Sequence, residues 1–344
     1  RSLHMSPSTP RPLAIGILGA AKIARQFCDG VRGSCKVTVI AVASRDIARA
    51  KAFASDMGIP NIHASYESLL ADPAIDAVYN PLPNNLHAHW SIRAADAGKH
   101  VLCEKPLATS AADARGMFDA ARRNGVRLVE AYPYRSQPQT IKMMELLAAK
   151  AIGRLQVVHA SFGFPLSDTA NIRMDPALAG GALMDAGCYP ISLVRGIAGE
   201  RPTRVHAMAR WAGSGVDLSM VASLEFPSGL LAQVSCSFAT IRHRHAFIAG
   251  DNGSIGTTYF NDTSATFPPL LDVRRGNGWD AQRETIDTAS SNGFLAEAES
   301  FHDLVAHGWD HWSGVTPEES IDIALTLEAL AASAREGMAI AIAS

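Results

Sequence analysis

Five short apolar runs, each followed by a helix-like or loop stretch, constrain this chain more than any other feature of it. They occupy Leu13–Leu18, Val37–Ala43 and residues 75–80, 100–103 and 126–130. None alternates apolar with polar residues, so each reads as a strand covered on both faces, the condition of a parallel sheet. Between them lie helical patterns over Ile47–Met57, residues 86–97 and residues 110–124, with a shorter one over Tyr66–Leu70. Strand–helix alternation of this kind builds a doubly wound α/β sheet. Such sheets bind ligands beyond the carboxyl ends of their strands, so the loops leaving those ends come first for function.

After residue 131 the pattern changes. A helix over residues 138–149 precedes strands over residues 155–164, 203–211, 218–226, 230–238 and 246–249. Pro227-Ser228-Gly229 and Asn252-Gly253 have hairpin chemistry. A second domain of α+β type with a mostly antiparallel sheet is expected, and helices over residues 294–307 and 317–337 should pack back on the first domain. The expected division is a tag remnant and N-terminal arm (1–12, with Met5 as native start), a dinucleotide-binding domain (13–131) and a second domain (132–344).

Length and composition agree with two domains. The 344 residues carry a net charge of -2, which gives no footprint for nucleic acid or an anionic membrane. No unbroken apolar run nears the roughly 18 residues of a membrane span. Cys28, Cys35, Cys103, Cys188 and Cys236 are scattered and form no Cys-x-x-Cys pair, so reduced thiols and a cytoplasmic setting are expected. A leader removed ahead of this start would instead place the chain in the periplasm. His87 with His89, and His307 with His311, find no further ligand at suitable spacing, so no metal is expected. Arg242-His243-Arg244-His245 reads as a basic patch guarding a strand edge.

The chemistry-bearing stretches sit at strand ends. Leu13–Leu18 runs into Gly19-Ala20-Ala21-Lys22-Ile23, where a glycine permits a sharp turn and small residues let a pyrophosphate approach a helix N-terminus. Ala21 stands where a second glycine is usual. The second run ends Ala43-Ser44-Arg45, without the acidic residue that holds the ribose of NAD. A hydroxyl and a guanidinium suit the 2'-phosphate of NADP, with Arg49 one turn further on. The alternative is that Ser44 or Asp46 caps the helix Ile47–Met57 and Arg45 is solvated. Pro81, Leu82 and Pro83 make a stiff loop able to wall the ribose and nicotinamide, and Asn84 or Asn85 can cap the helix that follows.

The fourth run ends Glu104-Lys105-Pro106, which puts a lysine at the mouth of the sheet. Asp185 and Tyr189 are four residues apart, one turn on a helix. Hydride transfer at a carbinol needs a proton acceptor and a cation for the developing alkoxide. Tyr189 can be the former, with its pKa lowered by the Lys105 ammonium and an oxidised nicotinamide, and Asp185 can orient lysine or substrate. From spacing alone, Asp185 as a cap and Tyr189 as core is the plainer reading.

Together these motifs resemble the glucose-fructose oxidoreductase/inositol dehydrogenase (Gfo/Idh/MocA) family, from about Leu13 to the end. The most specific parts are Asn80 to His87, Ala97 to Pro106 and Ala179 to Tyr189. The resemblance implies a Rossmann domain that binds NADP and a C-terminal open sheet whose outer face pairs subunits into a homodimer or tetramer. It implies catalysis by Lys105, with Asp185 and Tyr189 lining the substrate, and cofactor contacts from Gly19 to Ile23, Ser44, Arg45, Arg49, the loop to Asn85 and His87, Glu104, Lys105 and Arg173. Many members have histidine where Tyr189 stands. The implied substrate is a sugar or polyol, foremost an aldose oxidised at C1 to the lactone. Sugar–sugar oxidoreduction on permanently bound NADP, ketosugar reduction and trans-dihydrodiol oxidation are the alternatives, and a dinucleotide-binding protein without turnover is one of a different class.

Overall fold

The computed structural model describes residues 11–342. The expected tag remnant and start at Met5 lie outside these. Six parallel strands form the first sheet, with their connecting helices: β1 (Leu13–Leu18), α1 (Lys22–Val31), β2 (Val37–Ala43), α2 (Ile47–Met57), β3 (Asn61–His63), α3 (Tyr66–Leu70), β4 (Ala77–Asn80), α4 (His87–Asp96), β5 (His100–Glu104), α5 (Ala111–Arg123) and β6 (Leu128–Ala131). Their order is β3-β2-β1-β4-β5-β6, so the sequence reverses direction between β1 and β4. A crevice opens at that switch point, beyond the carboxyl ends of the two strands.

Burial explains why these strands read as unbroken runs. All six residues of β1 and all four of β4 are buried, because helices cover both faces of the sheet. On one face Ile15 and Ile17 pack with Phe27 and with Phe301 of a later helix; on the other Leu18 and Val78 pack with Leu69 and Met117. Each such fully buried side chain stabilises the fold by about 1.5–3 kcal/mol.

The second sheet has nine strands. Its elements are α6 (Pro138–Ala148), β7 (Leu155–Gly163), α7 (Cys188–Ala198), β8 (Arg204–Trp211), β9 (Asp217–Glu225), β10 (Leu231–Ser237), β11 (His243–Gly250), β12 (Gly253–Thr258), β13 (Leu270–Arg275), β14 (Gln282–Asp287), α8 (Gly293–His307), α9 (Pro317–Glu336) and β15 (Ile340–Ala341). The order is β14-β13-β12-β11-β7-β10-β9-β8-β15, antiparallel except for the β7–β10 pair. Four of these strands, β12 to β15, escape the sequence pattern. β14 is exposed along nearly all its length and carries no apolar face, and β12 is Gly-Ser-Ile-Gly-Thr-Thr, interrupted by two glycines.

The two last helices pack as expected. On α8, Phe294, Ala298, Phe301 and Leu304 close one face of the first sheet. On α9, Ala324 joins the opposite side of that sheet, while Ile323, Leu327 and Leu330 join the core of the second. The helical stretch Pro176–Ala198 is long and apolar enough to span a membrane, although sequence reading finds no unbroken run. Two-thirds of it is buried, with α7 as the core helix behind the second sheet.

Candidate active site

The crevice has the shape a dinucleotide needs. Gly19, at the end of β1, has φ +93°, and a Cβ there would stand 3.0 Å from Leu82 and 3.6 Å from the Tyr66 hydroxyl. Only glycine suits that backbone and leaves that space. Ala21 is extended, a conformation open to alanine, so the missing second glycine costs nothing. Helix α1 then starts at Lys22 with no side-chain cap and no acidic residue in its first turn. Its first N–H groups therefore lack side-chain acceptors, which fits a phosphate-binding helix end.

At the end of β2 the structure shows the capping alternative. Asp46 caps α2, its carboxylate accepting from Ala48 N at 2.9 Å and Arg49 N at 3.3 Å. That leaves Ser44 buried at the strand end and Arg45 and Arg49 exposed around the Tyr66 hydroxyl. Tyr66 was not expected in the site; it reads as one apolar residue of a short helix, and nothing in that pattern marks it.

The loop after β4 departs from expectation. Asn84 and Asn85 do not cap α4: a 3-10 turn, Asn84–Leu86, leads into it, and their amides donate instead to Ala179 O and Ala177 O, each at 3.0 Å. They tie the first sheet's loop to the chain that precedes Asp185. The His87 ring does not reach the crevice as a cofactor contact would require. It is buried between Pro106 O (2.8 Å) and Leu82 O (2.7 Å), bracing the two loops, and burial pushes its pKa down to about 4. Pro81 and Leu82 are buried in the loop after β4.

At the end of β5, Glu104 turns inward. It accepts from the Tyr79 hydroxyl at 2.6 Å and from Lys105 N at 3.2 Å, and burial raises its pKa. It buttresses Lys105 from below instead of opening onto a ligand. The Lys105–Pro106 bond is cis. The Lys105 ammonium donates to Asp185 Oδ1 and to the Asp185 carbonyl, both at 3.0 Å. The second Asp185 oxygen accepts from Arg173 Nε at 2.6 Å. Burial works against the Lys105 charge, but Asp185 and other neighbours outweigh it and hold the pKa above its usual value. Burial likewise opposes the Asp185 carboxylate, and Lys105 and Arg173 pull its pKa down. Two cations sharing one carboxylate leave a net positive site, suited to an alkoxide.

Tyr189 lies next to this group, its ring centroid 5.1 Å from the Lys105 ammonium. It is the second residue of α7, and Asp185 sits in a π-helical turn, Leu183–Gly187, that leads into it. Helix α7 is held by Arg195 Nε to Asp322 at 2.8 Å and by the Tyr134 hydroxyl to Ser192 at 2.6 Å. Burial sets the net direction here: the Tyr189 pKa is raised, although Lys105 acts on it in the expected, lowering direction. Burial outweighs the lowering by Lys105 and by a second cation, Arg244.

Arg244 corrects another reading. β11 is an interior strand between β12 and β7, so residues 242–245 guard no edge. Arg244 is 5 % exposed, with its guanidinium carbon 3.9 Å from the Tyr189 ring centroid. Strand alternation sends His243 and His245 to the other face, which the run of four basic residues concealed. Asn261, also unexpected, donates to the Tyr189 hydroxyl at 3.0 Å. No cluster of three metal-ligating side chains occurs among the described residues.

Comparison with known proteins follows the same division. Residues 13–132 match the model of an oxidoreductase family with an NAD-binding Rossmann fold, and residues 140–256 match the GFO/IDH/MocA C-terminal domain. The chain is 39 % identical to D-xylose 1-dehydrogenase (NADP(+)) 2 of Haloferax volcanii over 331 residues, 95 % of this chain and 99 % of that one. It is 37 % identical to the trans-1,2-dihydrobenzene-1,2-diol dehydrogenase of Danio rerio over 70 % of this chain and 72 % of that one. Among solved structures, aldose-aldose oxidoreductase from Caulobacter crescentus, complexed with glycerol, superposes with a TM-score of 0.85 at 27 % identity, over 96 % of this chain and all of the other. A Rossmann crevice, the neighbouring lysine and tyrosine, and these relatives agree: this chain belongs to the Gfo/Idh/MocA family of NAD(P)-dependent oxidoreductases.

Proposed function

We propose that this protein is an NADP-dependent dehydrogenase that oxidises an aldose at C1 to the lactone. The observation that carries this reading is the Lys105 ammonium, fixed by Asp185 at 3.0 Å and standing 5.1 Å from the Tyr189 ring at the mouth of the first sheet. A protein that only bound a dinucleotide would need neither the buried ammonium nor the phenol. The 39 % identity with an NADP-dependent xylose dehydrogenase supports both the substrate class and the cofactor.

When bound, the dinucleotide supplies a hydride acceptor at its nicotinamide C4 and a positive charge that works with Lys105 and Arg244 against burial of the phenolate. The chain's own residues do the rest. Tyr189 takes the proton of the sugar hydroxyl, Lys105 stabilises the charge left on that oxygen, and Asp185 and Arg173 hold Lys105 in place. Ser44, Arg45 and Arg49 receive the 2'-phosphate, and the uncapped start of α1 receives the pyrophosphate. Glu104 and His87 support this site from behind without touching a ligand. The working division is residues 13–131 for the cofactor and 132–344 for the substrate. A second copy would cover the outer face of the nine-stranded sheet, where Met208, Val221, Leu231 and Phe247 are exposed; sedimentation would test it.

A second reading, sugar–sugar oxidoreduction on NADP that never leaves, is favoured by the likeness to aldose-aldose oxidoreductase. Native mass measurement separates the two, since a purified protein that retains NADP favours the second. The deciding experiment for the main reading is a panel of aldoses, polyols and ketosugars followed by NADPH absorbance, with Lys105→Met beside the parent. Loss of at least a hundredfold in kcat is expected from removing the cation. Turnover of aldoses by Lys105→Met at the parent rate would end the proposal.

A further inference from the structure

We propose that Asn261 and Arg244, on the second sheet's side of the site, are positioning residues for Tyr189 that aim its hydroxyl proton and favour its phenolate. The inference rests on the reading of Tyr189 as the proton-transfer group.

Hydrogen-bond polarity carries the first half. Arg244 Nη1 donates to Asn261 Oδ1 at 3.2 Å, and an arginine has no acceptor atom. The Asn261 carbonyl oxygen must therefore face Arg244, which turns its NH2 group toward Tyr189. The phenol oxygen accepts that bond at 3.0 Å, so its single proton is directed away from Asn261. The backbone of Asn261 is itself pinned, its carbonyl accepting from Gln137 Nε2 and Gly293 N, each at 2.8 Å.

Charge carries the second half. Arg244 makes no salt bridge among the described residues, and its Nε and Nη2 have no hydrogen-bond partner there. Its guanidinium is enclosed by the rings of Tyr189, Tyr259, Phe162 and Tyr134 at 3.9–5.2 Å. A buried cation with no carboxylate beside it keeps its field for its neighbours, and Tyr189 is the nearest. The charged or titratable groups around Tyr189 are the cations Lys105, Arg173 and Arg244, the carboxyl groups of Glu104 and Asp185, the Cys188 thiol and the phenols of Tyr79, Tyr132 and Tyr134. Burial raises the phenol's pKa; Lys105 and Arg244 oppose it.

In oxidation the sugar O–H bond breaks and its proton forms the Tyr189 O–H bond, while the C1 hydride leaves for nicotinamide C4; the sugar is oxidised and NADP reduced. Asn261 then keeps its bond to the phenol oxygen throughout, so the proton has one route in and out.

The chain has six tyrosines, few enough to follow singly by 13C NMR of tyrosine labelled at Cζ, in the protein saturated with NADP. Tyr189→Phe assigns the resonance. Asn261→Ala should raise the Tyr189 midpoint by about one pH unit and lower kcat roughly tenfold below it. Arg244→Met should raise it further, and Arg244→Lys should restore most of the shift. Should Arg244→Met not fold, Asn261→Ala and Arg244→Lys still decide. An unchanged midpoint in Asn261→Ala, or a parent Tyr189 that stays protonated up to alkaline unfolding, overturns the proposal. Parent turnover in Tyr189→Phe would instead sink the functional reading, whatever the titration gave.

Discussion

Replacing Asp185 with asparagine should bring the Lys105 ammonium into titration. The carboxylate lies 3.0 Å from Lys105 Nζ, and the lysine side chain is 11 % exposed. At that distance, with an effective dielectric of about 20, the attraction is roughly 5 kcal/mol, or about four pKa units. Asparagine keeps the shape and one acceptor but removes the charge. Burial, which already opposes the ammonium, then acts with Arg173 nearby and no anion between them. We expect the Lys105 pKa to fall by about two to four units.

The sign decides what is measured. In the parent the folded pKa of Lys105 is raised, so its stabilising contribution is complete below the unfolded value near 10.4 and is lost only as pH rises through the folded value. Parent rates should accordingly show no alkaline decline from this group in the working range. In Asp185→Asn the Lys105 value comes back down toward the ordinary lysine range, so initial rates of NADPH formation with an aldose should decline on the alkaline side, where the parent holds level. Rate profiles of parent and variant that superimpose across the neutral and alkaline range would refute the coupling. A uniform loss without a change in profile would assign Asp185 to substrate contact instead.

Other outcomes follow from the same geometry. Arg45→Ala should weaken NADP binding by about tenfold or more while NAD is little affected, by fluorescence titration of both cofactors. Burial raises the pKa of Glu130 to about 7, so its stabilising contribution is complete below the unfolded value near 4.5 and is lost as pH rises toward 7. Glu130→Gln, which can still accept from Leu107 N, should therefore show a smaller fall in Tm between acid and neutral pH, by calorimetry. Pro190→Ala, for the reason given in the last paragraph, should lower kcat several-fold with little loss of Tm, checked by assay and calorimetry together.

The fold was legible where burial imposes a period. β1 keeps the bounds read from sequence because a strand covered on both faces must be apolar throughout, β2 keeps them through its β-branched run although Thr38 is exposed, and Gly19 is required by its positive φ. Lys105 was legible because proline and a strand end mark it. Legibility failed where the cause lies in another part of the chain. Arg244 faces Tyr189 because β11 pairs with β7 and β12, and a local run of Arg-His-Arg-His looks the same on an edge as in the middle of a sheet. Asn261 sits in a loop with no pattern of its own, and its role is set by Arg244 and Tyr189, 17 and 72 residues away. For Tyr189 the lowering effect of the Lys105 ammonium was legible, but the burial that outweighs it was not, because the rings enclosing the phenol cannot be counted from neighbours in sequence.

The π-helical turn ties these pieces into one device. In an α-helix the Asp185 carbonyl would accept from the N–H of Tyr189, four residues on; in a π turn pairing moves to the fifth residue. That residue is Pro190, which has no N–H. The π pairing is thus closed to the Asp185 carbonyl, which accepts instead from the Cys188 thiol at 3.5 Å and from the Lys105 ammonium at 3.0 Å, the latter also binding the carboxylate of the same residue. A single aspartate therefore binds one ammonium through two oxygens and keeps its remaining oxygen for Arg173. The irregular turn and the proline are what let a helix from the second half of the chain grip a lysine from the first. An N–H supplied at position 190 would compete with Lys105 for that carbonyl, which is why alanine there should weaken catalysis while making the helix more regular.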